Sequence, residues 1–398
     1  MPGTHALLSA SSAHRWLKCT PSARLEAQYE EQTSVYAEEG SLAHHYAEIE
    51  LKHAVKVIDE TEYLAELQKI KTNELYSPDM DNHVATYVNY VLESYNATLR
   101  ACPDAVLEIE TMLDFSGWVP QGFGTGDAVI IADKEVHVID LKYGKGVAVE
   151  VEGNPQFRLY ALGAYSEFSL LYGIDRITTT VVQPRLDVIA SEQLSVADLL
   201  AWGKEIEPTA WKAYDGEGIE NIGDHCKFCK HKINCKALKI EANKLAKKAF
   251  DKVQPSTMRP KTLADLLTKK DIITDYLKAV ADWALIQVKD EGMQIPGFKL
   301  VEGRSNRKYL DESTVADKLQ KAGYSAEQIY DLKLLGISNM EKLLTKAKFN
   351  ELIGDLVVKP EGAPVLVPET DKRKVWQPKQ TAEEAFKDID LNKESGGN

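Results

Sequence analysis

The sequence predicts a mixed α/β fold, and three observations carry that expectation. Apolar residues recur at helical spacing through most of the first hundred positions. From Val106 the period shortens to that of strands, with a hairpin turn in the middle. A helix, a β-branched strand and another helix then alternate.

Taken in order, residues 37–55 and 63–75 carry apolar positions at helical intervals. Residues 82–99 repeat the pattern, with Val84, Tyr87, Val88 and Val91 on one stripe. Val106–Met112, Ala128–Ala132 and Glu135–Leu141 read as strands, with Ala132-Asp133-Lys134 as the turn between the last two. Residues 154–173 return to helix. Pro155 suits an early helical position there, and Leu159, Leu162 and Tyr165 form a stripe. Ile177–Gln183 is a β-branched strand and Ser195–Tyr214 a further helix. These elements imply a mixed central sheet flanked by helices.

Residues 220–252 change character. They hold three of the five cysteines and the lysines Lys227, Lys230, Lys232, Lys236, Lys239, Lys244, Lys247, Lys248 and Lys252. The first domain is therefore expected over 1–252: a helical part to 105, a core over 106–215 and the cysteine-rich stretch over 220–252. After Pro255 the pattern restarts with helix at 263–288, a short strand at 298–301 and helix at 313–344. A mainly helical C-terminal accessory domain is expected over 256–379. Lys299, Arg304, Arg307 and Lys308 there read as a solvated basic face. Residues 380–398 are polar and glycine-terminated, and read as a disordered tail.

Composition bounds the function. The chain has 398 residues, with 48 basic and 61 acidic side chains for a net charge of −13. That excludes a histone-like protein that coats nucleic acid at large, but not an enzyme with a local basic path. No apolar run reaches the ~18 residues of a membrane span. The first residues lack the charged and apolar regions of a secretory leader. Five cysteines are too few for a disulfide framework in a chain of this length. The expected compartment is reducing cytoplasm, where cysteines at short spacing point to metal.

The most informative stretch runs from Gly124 to Gly144. Asp127 opens a strand after a glycine-rich approach, and Asp140 and Lys142 close the next one. Residues two apart share a face of a strand, so Asp140 and Lys142 point the same way and the hairpin can bring Asp127 beside them. Two carboxylates on one rigid edge suit Mg²⁺ or Mn²⁺. A lysine next to them can hold or polarise a water for attack on a phosphodiester.

Gly-x-Asp, a hairpin, Asp-x-Lys and then Gln156-Phe-Arg-Leu-Tyr160 resemble the PD-(D/E)XK nuclease superfamily in its RecB-like branch. The resemblance implies a restriction-endonuclease-like core, a glutamine (Gln156) near the active site and a tyrosine (Tyr160) near the DNA. Gly40-Ser-Leu-Ala-His44 is similar to the family's Gly-x-x-x-His, which implies that His44 helps bind the metal. His45 competes for that role, and Glu48 shares the face of His44. Asp140 stands where the family often has glutamate, and Gly126 where a proline often precedes the first acid. Glu110 is either an auxiliary acid or a strand-surface charge.

Cys226, Cys229 and Cys235 form a Cys-x2-Cys-x5-Cys run, which favours zinc or an iron–sulfur cluster. Three thiolates need a fourth ligand: His225, His231 or the distant Cys19. One early cysteine with three clustered after the nuclease motifs resembles the iron–sulfur nucleases of the AddB and CRISPR-associated exonuclease type. That resemblance implies a structural [4Fe–4S] cluster on Cys19, Cys226, Cys229 and Cys235, with Zn²⁺ as the alternative. Cys102 lies outside both patterns. Over residues 10–250 the chain looks closest to the phage-associated DUF2800 family.

The expected function is a Mg²⁺- or Mn²⁺-dependent deoxyribonuclease, an exonuclease of phage or prophage replication or recombination. Asp127, Asp140, Lys142, Gln156 and Tyr160 are its catalytic residues, and His44, Asp127 and Asp140 its metal ligands. DNA is the expected partner, with a single-strand-binding or recombination protein and self-association as further candidates, and no membrane. The alternative is a non-catalytic DNA-binding or scaffold protein that retains the fold.

Overall fold

The computed structural model describes residues 6–30, 34–146, 148–250, 258–301 and 312–323, with shorter stretches between 325 and 357. Residues 1–293 form one compact unit and 294–398 another.

The first unit is built on five strands: β1 (Val106–Asp114), β2 (Phe123–Ala132), β3 (Glu135–Leu141), β4 (Arg176–Gln183) and β5 (Val188–Ser195). They lie side by side in that order. Every neighbouring pair is antiparallel except β3 and β4, which are parallel. A parallel pair needs a long crossover, and residues 142–175 supply it. Two short helices, α1 (Ala13–Trp16) and α2 (Ser22–Glu26), precede three long ones: α3 (Val35–Ala54), α4 (Glu60–Lys71) and α5 (Pro78–Ala101). The crossover helix is α6 (Pro155–Phe168). Then come α7 (Val196–Asp215), α8 (Lys236–Phe250) and α9 (Pro260–Asp290).

Ends are set by capping. Ser34 Oγ accepts from the Ala37 amide, Asp59 from Glu62, Asn154 from Gln156 and Ser195 from Asp198, each satisfying an orphan N–H of a first turn. Pro78 and Pro155 occupy first-turn positions, where a missing N–H costs nothing.

The sheet is covered on both faces. On one, Ala128, Ile130, Ile139 and Leu141 pack with Ala43, Tyr46 and Ala47 of α3 and Val84, Tyr87 and Val91 of α5. On the other, Val129, Ile131, Val136 and Val138 pack with Leu159 and Leu162 of α6, Leu199 and Ile206 of α7, and Leu8, Ala13 and Trp16. Burial on both faces explains why β2 and β3 read as continuous apolar runs. This is the mixed α/β core with flanking helices that the sequence predicts.

Several elements differ from expectation. β2 begins at Phe123, so Asp127 lies inside a strand rather than opening one. The glycines before it are strand positions that admit close neighbours. A Cβ at Gly124 would stand 2.8 Å from Tyr160 Cε1, and one at Gly126 2.8 Å from Leu113 Cδ1. β5 has no counterpart in the sequence reading. It is an edge strand with alternating exposure, and its polar residues hide the pattern. Residues 298–301 are not a strand; Phe298 is exposed and none of them pairs with another strand. Helix α9, expected in the accessory domain, belongs to the first compact unit, packing on α8 and the turn Lys230–Ile233.

In the second unit the described residues include helix α10 (Glu312–Lys321) and a helix over Lys346–Ile353 on which Phe349 is buried. Lys299 is exposed; Arg304, Arg307, Lys308 and the tail 380–398 lie outside the described residues. Among the described residues no helix is long and apolar enough to cross a membrane.

Helix α6 approaches β1 very closely. A Cβ at Gly163 would meet Leu113 Cβ at 2.8 Å, Leu113 carbonyl carbon at 3.0 Å and the Asp114 nitrogen at 3.2 Å. Two of these are backbone atoms and cannot swing away. Gly163→Ala is expected to lower stability by about 1–3 kcal/mol in urea unfolding. Gly117→Ala, where nothing lies within 4 Å, should stay within about 0.5 kcal/mol of the parent.

Candidate functional site

Strand register gathers the acidic residues. Ile109 lies opposite Ala128 and Thr111 opposite Gly126, which places Glu110 across from Asp127. Ala128 lies opposite Ile139, so Asp127 and Asp140 face each other one step beyond that pair. Glu110, Asp127 and Asp140 thus form one row across three adjacent strands. Like charges opposite one another destabilise a sheet, so such a row calls for a cation.

Glu110 interrupts the β1–β2 ladder. Its φ is 49°, in the left-handed region that non-glycine residues seldom adopt. Backbone strain of this kind concentrates at functional sites.

Asp127 is held on both oxygens. Its Oδ2 accepts from the Leu141 amide at 2.7 Å, and its Oδ1 lies 3.3 Å from His44 Nδ1. One ligand atom each from His44, Glu110 and Asp127 can be chosen so that all three lie within 4.8 Å of one another. The carboxylate oxygens suit Mn²⁺ or Mg²⁺, and the added imidazole favours the softer Mn²⁺. Asp140 is 2% exposed, and Lys142 Nζ sits 2.7 Å from its Oδ2. His45 faces elsewhere, 3.2 Å from Glu48 and 3.3 Å from Glu66. Glu48 is taken up by His45 and Lys52.

The charges of these groups act on one another. Burial raises the Glu110 carboxyl, Asp127 adds to it, and the pKa reaches about 7. Burial likewise lifts Asp140 to about 6, with Lys142 opposing and Asp127 reinforcing. Burial would lower His44, but Asp127 outweighs it and raises the imidazole to about 9. Asp127 goes the other way: burial opposes ionisation, yet His44 and Lys142 hold it below its usual range. Lys142 is pulled down by burial and pushed higher by Asp140 and Asp127, so it remains an ammonium.

A pH dependence follows. Glu110 and Asp140 ionise at 4.5 and 3.8 in their ordinary state and near 7 and 6 here. Between those limits the folded chain binds more protons than the unfolded one, so their contribution to stability falls as pH rises. A divalent cation needs both deprotonated. Stabilisation by Mn²⁺ is therefore expected to be larger at pH 7.5 than at pH 5, measured as the shift of the urea midpoint. An equal shift at both pH values would refute this.

Gln156 and Tyr160 occupy successive turns of α6, and Gln156 Nε2 donates to the Tyr160 hydroxyl at 3.4 Å. Burial and then Asp140 raise the Tyr160 phenol, placing it in the field of the same carboxylates. The start of the helix is pinned by Arg158, which pairs with the buried Glu192 at 2.5 Å; Glu192 also accepts from the Gly153 amide at 3.1 Å. Phe157 presents its ring 5.8 Å from Lys142 Nζ.

The four cysteines Cys19, Cys226, Cys229 and Cys235 line a single small pocket with Arg15, Leu25 and Glu220. All are free thiols, as is Cys102, which lies elsewhere as the C-cap of α5. The Asn221 amide donates to Cys19 Sγ and the Leu238 amide to Cys235 Sγ, both at 3.4 Å. No three of these sulfurs gather within 4.8 Å of one another among the described residues. That is wider than a zinc tetrathiolate, whose 2.3 Å bonds set sulfurs roughly 3.8 Å apart. His231 has both nitrogens engaged, by Tyr29 at 3.0 Å and Glu220 at 3.5 Å; His225 Nε2 meets the Asn221 carbonyl at 3.0 Å.

Around the pocket the start of the chain is tied to the end of the core. Thr20 donates to the Glu217 carbonyl at 2.5 Å, Arg24 to the Tyr214 carbonyl at 2.6 Å, and Asn221 to the Lys18 carbonyl at 3.0 Å. Of the lysines nearby, Lys227, Lys230, Lys236, Lys239, Lys244 and Lys247 are exposed and Lys232 is half-buried, while Lys252 and the side chain of Lys248 lie outside the described residues.

Among the solved structures that resemble the chain are two with these alignments. A crystal structure named "Putative exonuclease", from Eubacterium rectale, aligns with a TM-score of 0.32 and 11% identity over 56% of this chain and 87% of its own. The crystal structure of SSO0001 aligns with a TM-score of 0.23 and 15% identity over 55% of this chain and 95% of its own. The profile of a family described as "Protein of unknown function (DUF2800)" matches residues 5–374. The chain belongs to the DUF2800 family.

Proposed function

We propose that the chain is a metal-dependent deoxyribonuclease of the RecB/AddB-like, iron–sulfur branch of the PD-(D/E)XK superfamily. The proposed activity is exonucleolytic, in phage or prophage replication or recombination within the bacterial cytoplasm. The observation that carries this reading is the convergence of His44, Glu110, Asp127, Asp140 and Lys142 on one edge of the sheet.

Asp127 and Asp140 would hold Mg²⁺ or Mn²⁺, with His44 and Glu110 completing the donor set. Such an ion supplies Lewis-acid stabilisation of the charge that develops on a phosphodiester. Lys142, kept protonated by two carboxylates, holds and polarises the attacking water. Gln156 and Tyr160 orient the strand from α6. Lysines of the 227–247 stretch, with exposed Phe228 beside Lys227 at 5.4 Å, offer cationic and stacking contacts to a single strand. A [4Fe–4S] cluster on Cys19, Cys226, Cys229 and Cys235 is the cofactor of this reading, supported by the four thiols lining one pocket and by the amides that donate to Cys19 and Cys235. Its role is structural, since hydrolysis requires no electron transfer.

The test is degradation of linear single-stranded, linear duplex and circular DNA with Mg²⁺ or Mn²⁺. Loss of linear substrate only, abolished in Asp140→Ala, is the expected result. No cleavage with any metal or substrate would overturn it in favour of a binding or scaffold protein.

A further inference from the structure

Arg185 has no part in the proposed mechanism, yet it packs on Tyr143, the residue that follows Lys142. It lies in the one-turn 3-10 helix Pro184–Leu186 that follows β4, closed by Asp187 at φ 56°. β3 and β4 are parallel, so their carboxyl ends open on the same edge, where α/β sheets bind ligands. The pairing still holds there: the Lys142 amide donates to the Val182 carbonyl at 2.9 Å.

The guanidinium is packed 4.7 Å over the ring of Tyr143, the residue after Lys142. Its Nη1 meets Glu39 Oε2 at 2.9 Å, and Glu39 rides on α3, which also carries His44. The side chain keeps 15% of its surface open. An arginine presents five N–H donors in a planar fork matched to phosphate. Here its face is backed by an aromatic ring and its charge is met by one partly exposed carboxylate. A phosphate reaching this edge would compete with that carboxylate for one cation.

We propose that Arg185 is a substrate-binding residue that takes a backbone phosphate next to the one being hydrolysed. Glu39 is the counter-ion that the arginine exchanges for the strand. The inference rests on the nuclease reading and names a contact within it.

The experiment compares the full chain with R185Q and E39Q. Binding of a labelled single-stranded oligonucleotide is titrated against salt without divalent ions, and kcat and KM are measured with Mn²⁺. R185Q is expected to raise KM about tenfold with a smaller change in kcat. It should also reduce the slope of log affinity against log salt by about one. E39Q is expected to tighten binding about threefold, since it removes the competitor. A purely structural ion pair predicts instead that both variants weaken binding alike, and that result overturns the inference. So does an unchanged KM and slope in R185Q when the parent binds and cleaves. A parent chain that neither binds nor cleaves overturns the nuclease reading and this inference together. Should R185Q fail to fold, R185K serves: it keeps the charge and the salt slope but loses the planar fork, so KM still rises.

Discussion

Lys142→Ala is expected to lower phosphodiester cleavage by about 10²–10³-fold, the usual cost of removing one preorganised electrostatic donor from an enclosed site. The ammonium lies 2.7 Å from Asp140, and both carboxylates of the strand pair raise its pKa. On the proposed reading it is a fixed charge rather than a base, so its loss would remove polarisation of the water and leave the donor set intact. Mn²⁺ binding, followed by calorimetry, should therefore persist in Lys142→Ala and fall in Asp127→Ala. Lys142→Arg keeps the charge but places it on a wider group, and partial activity is expected. Cleavage that continues undiminished in Lys142→Ala would remove this residue from the mechanism. Metal binding lost in the same variant would show that the lysine acts by organising Asp140, which is left buried and uncompensated without it.

Part of this arrangement is legible from spacing, and part only from the resemblance to a nuclease family. Asp140 and Lys142 alternate by two on a strand with strong apolar patterning, and the Ala132-Asp133-Lys134 turn fixes the hairpin that returns Asp127 to them. His44 was separable from His45 only by its place in Gly40-Ser-Leu-Ala-His44, and the structure puts His44, not His45, on Asp127. The sequence leaves Glu110 open because nothing local distinguishes it from a surface charge. Its place depends on the β1–β2 register, and the connection from Asp114 to Phe123 is too long for a turn type to fix that register. Once the register is known, three carboxylates fall in one row. β5 escapes the sequence pattern for a related reason: this edge strand carries buried Glu192, paired with Arg158, and exposed Gln193 where a central strand would carry apolar residues. Arg185 was invisible because its partners, Tyr143 and Glu39, are distant in sequence and meet only when α3 closes over the parallel edge.

Replacing Cys19 with serine is expected to bleach the protein and loosen one corner of the fold while sparing the sheet. A purified parent chain should be brown, with a broad absorbance near about 400 nm from the iron–sulfur centre. Burial drives the Cys229 thiol to about 12 and the Cys235 thiol to about 11. Those thiols ionise only on binding, so assembly releases protons and its free energy becomes folding free energy. Cys19→Ser should cost on the order of 5 kcal/mol, or roughly 10 °C in thermal unfolding of a unit this size. Cys102→Ser, outside the pocket, should do neither. The loss should also be local. The bonds from Thr20, Arg24 and Asn221 hold the same junction without any cluster, so hydrogen exchange should quicken around residues 13–29 and 217–238 before β2 and β3 respond. A colourless parent carrying one zinc per chain would refute the iron–sulfur assignment but preserve the local loosening. A coloured Cys19→Ser protein with unchanged unfolding would mean that the N-terminal cysteine is no ligand. The junction would then rest on hydrogen bonds and on the packing of Trp16 and Leu8 alone.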